Sequence, residues 1–124
     1  MAAGDIKGNE ILVIVGTLGA ATTVGQVVHL EADGKWDPVA DSDKGKFGVA
    51  LDAGGDGDSA RILIWGPVEV KATAVAIKKG APLMAGAAGT VCLSDYAVIG
   101  ENLGTAMEDF EASGTATVWI GLVN

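Results

Sequence analysis

Apolar residues occur along this chain in short bursts, each closed by glycine or a polar cluster, and within a burst they tend to alternate with the period of two of a β-strand. The bursts predict strands at 11–15, 26–31, 35–38, 47–51 and 60–65, then at 68–72, 82–84, 90–93, 103–107 and 115–122. Asp33-Gly34 falls between the strands at 26–31 and 35–38. Asp-Gly between apolar runs is a strong hairpin signal, because its second position must tolerate positive φ. No stretch carries three turns of amphipathic helical pattern. The best helical candidate is 72–79, where Val75 and Ile77 interrupt the alanines and Gly80 ends the run. At most one short helix is expected there.

The two series of strands superimpose. A shift of 55 residues lays Val13-Ile14-Val15 on Val68-Glu69-Val70, and the run GQVVHLEADG from Gly25 on GAPLMAGAAG from Gly80. With one further residue inserted, Gly48-Val49-Ala50-Leu51 falls on Gly104-Thr105-Ala106-Met107, and Ala60-Arg61-Ile62-Leu63-Ile64 on Ala116-Thr117-Val118-Trp119-Ile120. This pattern reads as an internal repeat, approximately 11–65 and 66–122, inside a single β domain spanning 11–124. Eight or so short strands imply an all-β fold, a compact barrel or sandwich. Its halves are expected to be related by an approximate twofold axis and to share one core across Gly66-Pro67. Residues 1–10 show no periodicity and are expected to form a flexible N-terminal arm.

Composition narrows the function. Apolar residues make up 49% of the chain but aromatics only 5%, so the core must be built from Val, Ile, Leu and Ala. Eight basic residues against sixteen acidic give a net charge of −8, a surface that repels phosphate backbones, so no direct nucleic-acid partner is expected. Residues 11–28 are uncharged but hold three glycines, three threonines and Gln26, which reads as strand and loop; no membrane partner is expected. Cys92 is the only cysteine, excluding an internal disulfide, and reads as a small buried hydrophobe.

Catalytic and metal patterns are absent. His29 is the only histidine and has no Ser or Cys near it in sequence, so no triad can be argued. Asp52, Asp56 and Asp58 with their glycines look like a calcium loop, but the Glu and flanking helices of an EF-hand are missing, and a solvated hairpin loop is the better reading. No phosphate loop, dinucleotide fingerprint or zinc spacing occurs, so neither an enzyme nor a cofactor is expected. Trp36, Trp65 and Trp119 are the notable aromatics, read either as core or barrel-end plugs or as interface anchors.

The segments GQVVHLEADGKWDPVAD, KFGVALDA, GPVEVKATAVAIKKGAPLMAGAAGTV and GTAMEDFEASGTATVWIGLV occur here in that order. They resemble the DUF2190-type capsid decoration, or cement, proteins of tailed phages and related viruses. The resemblance implies a β-rich homotrimer on the outer capsid surface of the virion, made in the host cytoplasm. Its partner would be the major capsid protein, clamped against the internal pressure of packaged DNA. Interface candidates are Asp5, Ile6 and Lys7 in the arm, with Trp36, Trp65 and Trp119. The rival reading is a carbohydrate- or host-surface-binding β module, whose mark would be exposed tryptophans on a concave face.

Overall fold

A computed structural model describes residues 11–40, 43, 45–73, 75–94 and 102–121. Its described residues form nine strands: β1 Leu12–Thr17, β2 Val27–Leu30, β3 Trp36–Pro38, β4 Phe47–Ala50, β5 Ser59–Lys71, β6 Pro82–Ala85, β7 Val91–Leu93, β8 Asn102–Ala106 and β9 Thr115–Ile120. The all-β expectation holds. The strands join one antiparallel sheet in the order β3-β2-β4-β5-β9-β8-β6-β7, with β1 added to β5, and the sheet curls into a half-barrel. The Asp33-Gly34 turn forms as expected, with Gly34 at φ +82° and Glu31 N–H donating to Lys35 O at 2.9 Å.

Pairing registers recur between the halves. Val28↔Pro38 returns as Leu83↔Leu93, Val27↔Val49 as Pro82↔Thr105, and Ala50↔Ile62 as Ala106↔Val118. These are the offsets of 55 and 56 residues read from the sequence. The first strand departs from them by one. Ile14 pairs with Ile62 and Val68 with Val118, so Ile14, not Val13, corresponds to Val68. A one-residue slip exchanges the faces of a strand, and burial follows the pairing: Val15 and Glu69 are both exposed, whereas Leu18 and Ala72 are both buried.

Two further expectations are corrected, and the bound of at most one short helix at 72–79 is met by none. Strands foreseen at 60–65 and 68–72 are one strand, β5, which bends at Gly66 (φ +130°) where its partner changes from β1 to β9. Residues 72–79 form no helix among those described; Ala72 and Ile77 make strand-like bridges to Val91 and Phe110, and the one helical element is a 3-10 turn at Ala87–Gly89. Nor does a twofold axis relate the halves. Gly89 N–H donates to Val39 O at 3.0 Å and Gln26 Nε2 to Ala88 O at 3.1 Å. A twofold would repeat these contacts in reverse, joining Gly34 to Ser94 and Asp33 to Ala81. Neither is made: Gly34 N–H donates to Glu31 O at 2.9 Å instead, and Ala81 has no side-chain donor.

Each half closes on itself through a parallel bridge, Leu18 to Trp36 in the first and Ala72 to Val91 in the second. The larger core joins the halves: Val27, Val39, Val49 and Leu63 pack with second-half residues such as Leu83, Val118 and Ile120. A smaller core of Leu18, Val28, Trp36, Ala50, Ala60 and Ile62 fills the first half alone. First-half strands are therefore apolar on both faces, with Val27 and Val28 entering different cores.

Candidate functional site

The mouth of the first half is an apolar groove of about 450 Å³, walled by Ile14, Leu30, Phe47, Ile64 and Trp65 over the Trp36 ring. Ile14 and Ile64 come from paired strands whose inward faces continue the smaller core. Lys46 stands on the rim, and Leu103 and Gly121 border it from the second half. No catalytic arrangement is built into it.

Beside the groove runs an open strand edge. β1 pairs with β5 on one side, and from Leu12 to Gly16 its other side has no strand partner among the described residues. Leu12 is 52% exposed and Val15 73%. Soluble proteins blunt such edges with charge, proline or cover; this one carries LVIVGT, with neither charge nor proline. The uncharged sequence itself was the available signal, since Val13 and Val15 put apolar groups on the face opposite Ile14. A second groove, of about 580 Å³, lies at the seam between the halves and mixes Gln26, Glu69, Lys71 and Thr115 with Val24 and Val70 in its lining.

Several charged residues are engaged structurally. Asp52 accepts from the Arg61 guanidinium at 2.9 and 3.0 Å and from the Arg61 backbone N–H at 2.9 Å. Asp56 pairs with Lys35 Nζ at 3.1 Å, and Asp58 accepts from Gly55 N–H at 2.8 Å. The acidic loop is thus a hairpin whose carboxylates serve its own fold. His29 Nε2 lies 3.3 Å from both Glu31 and Asp43, which satisfies the imidazole. Cys92 is half-buried rather than buried, its thiol directed at Ala85 O at 3.5 Å.

Two carboxyls are shifted in opposite directions. Hydrogen bonds from the Arg61 side chain and backbone hold Asp52 at about 2, below its ordinary 3.8. A depressed carboxylate stabilises the fold above the unfolded-state value and loses that contribution as pH falls through the folded one. Arg61→Gln is therefore expected to flatten the dependence of Tm on pH between about 4 and 2, measured by circular dichroism. The Glu31 carboxyl is raised by its hydrogen bond to the Asp37 carboxylate and by that charge. The sign reverses: this pair helps at low pH and opposes folding once pH exceeds the raised value. Glu31→Gln, which keeps a donor at every pH, is expected to raise Tm at pH 7 and leave it unchanged at pH 4.

Among the sequence-chosen interface residues, Asp5, Ile6 and Lys7 lie outside the described residues. Trp36 is 5% exposed, a plug of the smaller core. Trp65 and Trp119 are half-buried and meet edge to face, ring centroids 5.8 Å apart, between the groove and the outer face of the second half. Sequence reasoning missed Leu30, Phe47 and Ile64, whose apolar character reads as core.

Comparison with known proteins adds three findings. The profile of a family described as phage cement protein matches residues 6–122. No curated protein matches. Among solved structures, the fold is similar to the N-terminal base of the head fibre protein gp8.5 of bacteriophage phi29, with a TM-score of 0.65 and 17% identity over 93% of this chain and 100% of that one.

Proposed function

This chain belongs to the phage cement protein family, and from that membership we propose that it decorates the outer face of the capsid as a homotrimer and holds the shell against the pressure of packaged DNA. It is a capsid-associated structural protein of the phage virion. The family match over residues 6–122 carries the reading. The chemistry of the surface supports it. A net charge of −8 keeps an externally displayed protein soluble and away from the genome, and the polar clusters serve the fold, which suits a structural rather than a catalytic protein. The partner in this reading is the major capsid protein.

Contact with the shell is assigned to the arm, through Asp5, Ile6 and Lys7, leading into the open edge of β1. An unpaired strand edge suits strand addition with a partner's sheet. Weak contacts repeated over three copies add up by avidity. Deleting residues 1–10 is expected to leave the thermal unfolding curve unchanged and weaken capsid binding at least tenfold in a co-sedimentation titration. Unchanged capsid affinity would remove the arm from the interface. The pressure-bearing role is tested by heating DNA-filled capsids with and without the protein. DNA release, followed with an intercalating dye, should move to higher temperature on decoration; coincident curves would contradict a cementing role.

A further inference from the structure

The contact between the two halves is one-sided, and that has a consequence for how copies meet. The first half offers an outer face on which Val27, Val49 and Leu63 are buried and Leu51 is packed against the shared core. Val27 pairs with Val49 and Val49 with Leu63, so these three form one row across β2, β4 and β5. The second half receives that face beside its own mouth, where Ala85, Leu103 and Ile120 are buried in the same core.

Register equivalence identifies the same two surfaces on the opposite halves. Val27, Val49 and Leu63 correspond to Pro82, Thr105 and Trp119, which also form one row: Pro82 pairs with Thr105 and Thr105 with Trp119. Here the row is uncovered. Thr105 is exposed, Pro82 and Trp119 are half-buried, and Met107, the counterpart of Leu51, is 42% exposed. The buried mouth residues Ala85 and Ile120 correspond to Leu30 and Ile64, two walls of the open groove; Phe47, a third wall, pairs with His29, while Leu103 sits in the bulge between the Gly104 and Asn102 pairings. The chain therefore carries one used pair of complementary surfaces and one unused pair of the same kind, which approach each other within the chain where Trp119 meets Trp65 at the groove wall.

A contact that is not reciprocated is heterologous, and repetition of a heterologous contact gives a ring when its rotation closes. We propose that the Pro82-Thr105-Trp119 face of one copy seats on the Leu30-Phe47-Ile64 groove of the next, so that the contact within the chain is repeated between chains. The occupant of the groove is a second copy of this protein. Closure at three copies, giving a ring of six similar halves, rests on the homotrimer reading above; the two surfaces do not. The substitutions fit an interface that forms after folding, since the intermolecular face mixes Pro, Thr and Trp where the intramolecular one is all aliphatic, and Trp is enriched at such contacts.

The test uses full-length protein in a Cys92→Ser background, with Leu30→Cys and Thr105→Cys made singly and together. A short bismaleimide is applied in solution and on saturated capsids. Mixing the two single variants should give a cross-linked dimer, while neither alone does so above background. The double variant should give a covalent species of three times 12.4 kDa and nothing larger. Thr105→Arg should lower the mass found by sedimentation to that of one chain, with an unchanged circular dichroism spectrum. Cross-linking of Thr105→Cys with itself, or no mixed cross-link either in solution or on capsids, would overturn the proposal. Cross-linked rings that do not bind capsids would leave it standing and refute the capsid reading instead.

Discussion

Gly104→Ala is expected to cost at least ~3 kcal/mol of stability, a large fraction of the roughly 5–15 kcal/mol that keeps a domain folded. Gly104 faces Ile120 in the β8–β9 ladder, and a Cβ there would land on the Trp119 carbonyl oxygen, with the carbonyl carbon 3.0 Å away. Both atoms are backbone, so relief requires separating two strands of the shared core. The same geometry recurs in milder form at Gly48, where the Leu63 carbonyl oxygen would stand 3.0 Å from an added Cβ and the other close neighbours are the Cγ2 methyls of Ile62 and Ile64. Side-chain methyls, though stiff on a β-branched carbon, shift more readily than a paired backbone. Gly48→Ala should therefore cost less, about 1–2 kcal/mol. Urea titrations of the two variants check both the size and the order, and equal losses would mean that the carbonyl approach is not what excludes a side chain.

Ile120→Ala should cost about 3 kcal/mol, within the usual range for a large aliphatic side chain removed from a well-packed core. Ile120 is 1% exposed and lies in the cluster that includes Val27, Val49 and Leu63 of the other half. Because that cluster spans both halves, the variant should still unfold in one step, with tryptophan fluorescence and far-ultraviolet circular dichroism following the same curve. Trp36 reports on the smaller core and Trp119 on the second half, so two separated transitions would show that the halves are independent. Ile62→Ala, confined to the smaller core, should also lower stability without splitting the transition.

Much of the fold was legible because its signals are local. Asp33-Gly34 specified a turn through the φ that glycine permits, and the repeated Gly-x-Ala strands kept their phase because a backbone carbonyl opposes each glycine. Where the sequence misled, two side chains of the same type lay on opposite faces. Val13 and Val68 match by identity, but pairing equates Ile14 with Val68, and an insertion in the following loop cannot be placed from one chain. At 72–79, where at most one short helix was expected, the alanines carry helix propensity, but tertiary bridges at Ala72 and Ile77 override it. The groove was invisible for a different reason. Leu30, Phe47 and Ile64 have the composition of a core, and their exposure follows from which half covers which, a property of the whole fold. The open edge of β1 was closer to readable, since an uncharged strand apolar on both faces is either fully buried or waiting for a partner.

The duplicated halves set a geometry and the family sets a place, so the direct test is to look at the shell. Capsids prepared without this protein, incubated with it and imaged by electron cryomicroscopy, should gain density on the outer surface only, one threefold-symmetric ring at each site, with the first residues of each chain running toward the capsid protein. Saturating protein that leaves the outer surface bare, or that appears only inside the shell, would contradict the account.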